Sequence, residues 1–121
     1  MKINKQLKKL IEGNVLALST VDKNGNPHTV AVGDVKVVSK NQILIGNCFM
    51  KNTIKNFQRN NNVALAVWNR NWEKKCIGYE LKSAARYFTS GKWMKMVEKI
   101  HKGFNPKGAI LVTVKKIKRL V

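Results

Sequence analysis

The sequence predicts a mainly β, α+β fold: a small antiparallel barrel with two or three short helices flanking it. Three observations lead there. Apolar, β-branched segments come in pairs joined by turn residues. The helical patterns are too few and too irregularly placed for parallel βαβ winding. No internal repeat, linker or low-complexity stretch breaks the 121 residues, and 44% hydrophobic content suffices for one packed domain over residues 1–121.

Ile3, Leu7, Leu10 and Ile11 recur at helical spacing with lysines between them, and Gly13 follows where a left-handed C-cap belongs. Val15 to Thr20 reads as a strand, Asp22-Lys23-Asn24-Gly25 as a turn and Pro27 to Val32 as the returning strand. Val35 to Ser39 and Gln42 to Gly46 repeat the pattern around Lys40-Asn41. Thr53 is placed to cap a short helix carrying Ile54 and Phe57, which Asn60-Asn61-Asn62 ends. Val63 to Trp68 is a continuous apolar strand of the kind found in a barrel wall. Cys76 to Thr89 alternates loosely, as two paired strands or one bent strand would. Ser90 then stands as the cap of a helix carrying Trp93, Met94, Val97 and Ile100, and Ala109 to Val121 closes the chain as a strand.

Composition narrows the function. The apolar runs fall far short of the ~20 residues of a membrane helix. The polar start Met1-Lys2-Ile3-Asn4-Lys5 has no apolar stretch behind it, so a soluble, cytoplasmic protein is expected. Cys48 and Cys76 form no CxxC pair and have no histidine at ligand spacing, which predicts neither metal site nor disulfide. Only six acidic residues exist, none paired beside a histidine, so carboxylate-based hydrolysis lacks its parts. Glycine-rich nucleotide loops are missing as well. A net charge of +18 admits a non-enzymatic barrel that binds nucleic acid or another polyanion, with the basic run Lys115, Lys116, Lys118 and Arg119 as its densest part. However, twenty of the 24 cations are lysine, and fourteen asparagines accompany them. That is a compositional bias rather than a recognition stripe, so such binding is expected to be non-specific.

The segment that can carry chemistry is Lys51-Asn52-Thr53. A lysine, an amide and a hydroxyl at a helix start, with the free N–H groups of the first turn, make an anion site suited to phosphate. The same residues also read as an ordinary helix start, with Thr53 capping and Lys51 in solvent.

Val15 to Thr20 with Gly25-Asn26-Pro27-His28, Phe49 to Phe57 running into Asn62 to Trp68, Gly78 to Tyr87 with Thr89-Ser90-Gly91, and Pro106 to Val114 occur in an order that resembles the pyridoxamine 5′-phosphate oxidase-like, FMN-binding split-barrel superfamily. The likeness is strongest to its small FMN-binding proteins and covers nearly the whole chain. It implies an antiparallel split β-barrel, a homodimer with FMN at the interface, and an oxidoreductase or electron-transfer role in which the flavin carries the electrons. Carried over by position, Lys51, Asn52 and Thr53 hold the phosphate. Val30, Ala31 and Val32 offer backbone groups to the isoalloxazine, Asn47 and Cys48 lie beside the ribityl chain, and Lys107 reaches the flavin from the partner subunit. Catalytic residues are not implied. The chain departs from the family pattern in three ways. Asn52 separates Lys51 from Thr53. Gly33 and Asn105 stand where ring-covering aromatics are frequent. Nothing after Val114 matches the substrate-gripping arginines of the true oxidases, so vitamin B6 oxidation is not implied. The superfamily also includes members that bind deazaflavin or haem.

Overall fold

A computed structural model of the chain describes residues 2–33, 35–101 and 103–121. Along them run α1 (Lys5–Glu12), β1 (Leu16–Val21), β2 (Pro27–Val32), β3 (Lys36–Ser39), β4 (Gln42–Asn47), α2 (Lys51–Arg59), β5 (Asn62–Trp68), β6 (Gly78–Phe88), α3 (Gly91–Ile100) and β7 (Gly108–Arg119). The strands form one sheet in the order β2-β1-β5-β6-β7-β4-β3, with every neighbouring pair antiparallel. Its end strands β2 and β3 do not pair with each other, so the barrel is split rather than closed. Val32 from one end and Val35 and Val37 from the other nevertheless share an apolar cluster with Leu65 and Leu81 of the middle strands. The sheet therefore curls around a common interior.

Alternation puts Leu16, Leu18 and Thr20 of β1 and Val63, Leu65 and Val67 of β5 inside. Leu7 and Ile11 of α1 and Ile54 and Phe57 of α2 join the same cluster. Each fully buried side chain of this size contributes roughly 1.5–3 kcal/mol. β4 and β7 lose the alternation because both of their faces are covered. Ile43, Ile45, Ile110 and Val112 point inward, while Leu44, Ala109 and Leu111 pack with Val97 of α3.

Local chemistry explains where the elements differ from expectation. Gly13 ends α1 but at φ −94°, not left-handed. Its N–H bonds Lys9 O at 2.9 Å, and an added Cβ would stand 2.9 Å from the same oxygen, so this glycine serves close approach rather than positive φ. Asn4 caps the helix, its Oδ1 accepting from Leu7 N at 2.8 Å. In the β1–β2 turn, Gly25 takes φ +84° while Asp22 Oδ1 accepts from the N–H groups of Asn24 and Asn26. The stretch after Cys76 is one long strand, β6, bent by a bulge: Lys82 faces Lys116 and Ser83 faces Val114, so Lys115 has no opposite residue. Ser90 does precede α3, yet its side chain makes no capping bond.

Candidate functional site

Asn47, the last residue of β4, organises the candidate site. Its Oδ1 accepts from Met50 N at 2.7 Å, its Nδ2 donates to the Tyr87 hydroxyl at 2.9 Å, and its carbonyl accepts from Lys107 N at 2.7 Å. One buried amide thus ties the β4–α2 turn to β6 and to the segment before β7. Lys107, expected beside the flavin of the partner, is held by its backbone against Asn47 of its own chain. Tyr87 meets Phe57 edge-to-face, with centroids 6.3 Å apart, and lies over Gly108, where a Cβ would overlap the phenol ring.

α2 begins at Lys51, and the residue at its cap position is Met50, with no side-chain capping bond. The expectation that Thr53 caps this helix is therefore corrected. The turn held by Asn47 Oδ1 starts the helix earlier and leaves Thr53 as its third residue. Thr53 is 1% exposed, and its hydroxyl has no hydrogen-bond partner among the described residues. A buried orphan hydroxyl costs about 1–3 kcal/mol, so a fold that keeps one needs a reason for it. The first-turn N–H groups also lack intrahelical acceptors, and they carry the positive end of the helix dipole. Lys51 and Asn52 are exposed beside them, and no acidic residue stands in that turn. Of the ordinary reading of this helix start, the solvent-exposed Lys51 holds and the Thr53 cap does not.

The remaining site residues lie on two separate pieces of chain. Cys48, half-buried and free, follows Asn47 directly. Val30, Ala31 and Val32 occupy β2, whose outer edge is unpaired and so presents backbone donors and acceptors. Val32 is buried and Ala31 exposed. Among the described residues no hydrogen bond joins these three to the Asn47 turn. The connection runs through α2, which packs on β1 and β2, and through buried Asn56, whose Nδ2 donates to Thr20 Oγ1 at 3.0 Å. Tyr87, Gly108 and Asn56 were missed in the sequence reading. Of these, only Gly108 carried a usable signal, as a glycine opening an apolar strand where another group comes close. Among the described residues no three His, Cys, Asp or Glu side chains come together.

Comparison with known proteins shows the family and the fold. Residues 3–120 match the family model described as pyridoxamine 5′-phosphate oxidase. The chain belongs to that family. An uncharacterized protein of Methanocaldococcus jannaschii is 30% identical over 126 residues, covering 99% of this chain and 82% of its own length. HupZ of Group A Streptococcus superposes with a TM-score of 0.89 at 22% identity, over 98% of this chain and 94% of its own. An FMN-binding protein from Syntrophomonas wolfei subsp. wolfei superposes with 0.83 at 18% identity, over 94% and 83%. Solved structures at such low identity share the fold with this chain, and that is what the superpositions carry.

Proposed function

We propose that the chain is an FMN-binding flavoprotein, an oxidoreductase or electron carrier, which works as a homodimer with the flavin between its subunits. The observation that carries the reading is the buried, unpartnered hydroxyl of Thr53 in the first turn of α2. A phosphate there accepts from that hydroxyl and from the free N–H groups behind it, with Lys51 or Asn52 adding a contact from the exposed side. The outer edge of β2, unpaired among the described residues, suits the hydrogen-bonding rim of an isoalloxazine, and Asn47 with Cys48 directly precedes the turn into α2. Bound FMN supplies the redox chemistry, while the protein places and polarises it.

The outer face of the sheet supports the dimer. Across β2, β1, β5 and β6 run the rows Ala31-Ala17-Ala66-Glu80 and Thr29-Ser19-Ala64-Lys82. They make a floor of small side chains on β2, β1 and β5, bordered by the charged Glu80 and Lys82 on β6. Next to it opens a groove of about 540 Å³ lined by Ala66, Trp68, Trp72 and Leu120, the last three exposed. Apolar surface of this kind favours association, and exposed Ala31 puts the β2 edge at the margin of the floor. The test is to titrate the protein with FMN and riboflavin by absorbance and fluorescence while following its mass by sedimentation. Tight FMN binding by a dimer is expected. A monomer at micromolar concentration that leaves FMN free would defeat the proposal.

A further inference from the structure

α1 faces the segment entering β6 and the end of β7 across a groove of about 430 Å³. Its floor is apolar. Leu7 is buried, whereas Leu10, Ile77 and Tyr79 are only half-buried and line the groove. Leu10 and Tyr79 also pack on the main core, which fixes the floor in place. The rim is cationic: Lys9 comes from α1, Lys75 from the segment before β6 and Arg119 from the end of β7, and no acidic side chain lines the groove among the described residues. Arg119 is held from two sides. Its Nε donates to the main-chain oxygen of Val121 at 3.0 Å, and its guanidinium lies 5.9 Å from the ring centroid of Tyr79, its partner in the sheet register. The two Nη groups of the fork are left for a ligand.

We propose that this groove binds a small organic carboxylate with an apolar, ring-sized body. The carboxylate meets the Arg119 fork, with Lys9 and Lys75 adding charge, and the body lies on Leu10, Ile77 and Tyr79. Two features select this class over phosphate. An apolar floor gains from covering a hydrocarbon body and gains nothing from a compact, strongly hydrated inorganic ion. The groove also reaches the last turn of α1 at Lys9 and Leu10, where the carbonyls carry the negative end of the helix dipole and disfavour a densely charged anion. Neither α2, β2 nor the Asn47 turn contributes to its lining, which separates it from the site proposed for the flavin.

Calorimetric titration of the full chain with naphthoate, at about 0.15 M salt, with and without saturating FMN, tests this. One site per chain is expected in both conditions. Naphthylmethanol, which keeps the rings and lacks the charge, should bind at least about tenfold more weakly. Lys9→Gln/Lys75→Gln should weaken naphthoate by a similar factor and leave the alcohol unchanged, because both lysines are exposed and contribute only charge. Lys95→Gln/Lys99→Gln removes the same charge from exposed positions on α3 and should change neither probe. Ile77→Gln should weaken both, since it takes apolar surface from the floor. Failure of naphthoate to bind the native protein would overturn the proposal. Equal weakening by the two lysine pairs would overturn it in favour of a diffuse positive field, and displacement of naphthoate by an equal concentration of pyrophosphate in favour of a simple anion site. Loss of naphthoate binding on adding FMN would place the probe in the flavin site instead. If FMN itself fails to bind while the naphthoate results hold, the flavin reading falls and the groove stands.

Discussion

Replacing Thr53 by valine separates the two consequences of its buried hydroxyl. Valine keeps the branched shape in a site that is 1% exposed, and its helix propensity is close to that of threonine. The hydroxyl has no partner to lose among the described residues. Removing it takes away a desolvation cost of about 1–3 kcal/mol, so the protein without flavin should unfold at the same or a higher temperature, by about 4 °C per kcal/mol for a chain of this size. FMN binding moves the other way. One hydrogen bond to a charged phosphate, worth roughly 1.5–3 kcal/mol, is gone, which raises the FMN Kd about ten- to a hundredfold. Riboflavin lacks the phosphate and should bind the variant as it binds the native protein. Two results would refute the reasoning. A loss of more than about 1 kcal/mol in the flavin-free protein would mean that the hydroxyl is satisfied by the fold itself. Equal weakening of FMN and riboflavin would place the phosphate away from α2.

Three further outcomes are expected. Asn56→Ala leaves Thr20 Oγ1 buried without its donor and should cost about 1–2 kcal/mol in urea unfolding; a neutral result would mean that water replaces the amide. Gly108→Ala drives a methyl into the Tyr87 ring and breaks the Asn47–Tyr87 bond, so it should destabilise by about 1–3 kcal/mol and exceed the loss from Tyr87→Phe, measured in the same way. The Asp22 carboxyl is held below its ordinary value of 3.8, chiefly by the backbone N–H of Asn26, with Asn24 and the Arg59 charge adding. A depressed folded value means that its contribution to the hairpin is present above the ordinary value and is lost as pH falls through the folded one. Carboxyl NMR titration checks this, and a midpoint at or above 3.8 would contradict it.

Much of the architecture was legible in the residues because it rests on local rules. Pro27 to Val32 was read with both ends correct, since a proline, a β-branched run and a preceding Asp-Lys-Asn-Gly turn are short-range signals. The apolar runs of β4, β5 and β7 announced buried strands by composition alone. The choice between two strands and one after Cys76 was not legible, because it depends on the bulge that β7 imposes at Lys82 and Ser83. The helix start at Lys51 was equally hidden: a threonine before an amphipathic helix is locally a cap. What turned it inward is Asn47, which takes the Met50 N–H while Tyr87 of β6 and Lys107, just before β7, hold it from segments distant in the chain.

The sequence by itself therefore determined a strand-rich barrel, its helix faces and the polar run Lys51-Asn52-Thr53 at a helix start, since periodicity, turn chemistry and residue type are properties of neighbours along the chain. Only the tertiary structure decided that Thr53 is an orphan donor rather than a cap, that the sheet stays open between β2 and β3, and that α1 closes a cation-rimmed apolar groove against β6 and β7. Each of these depends on burial and on partners far apart in sequence. Whether a polar group finds a partner is settled by what the fold brings within about 3 Å of it.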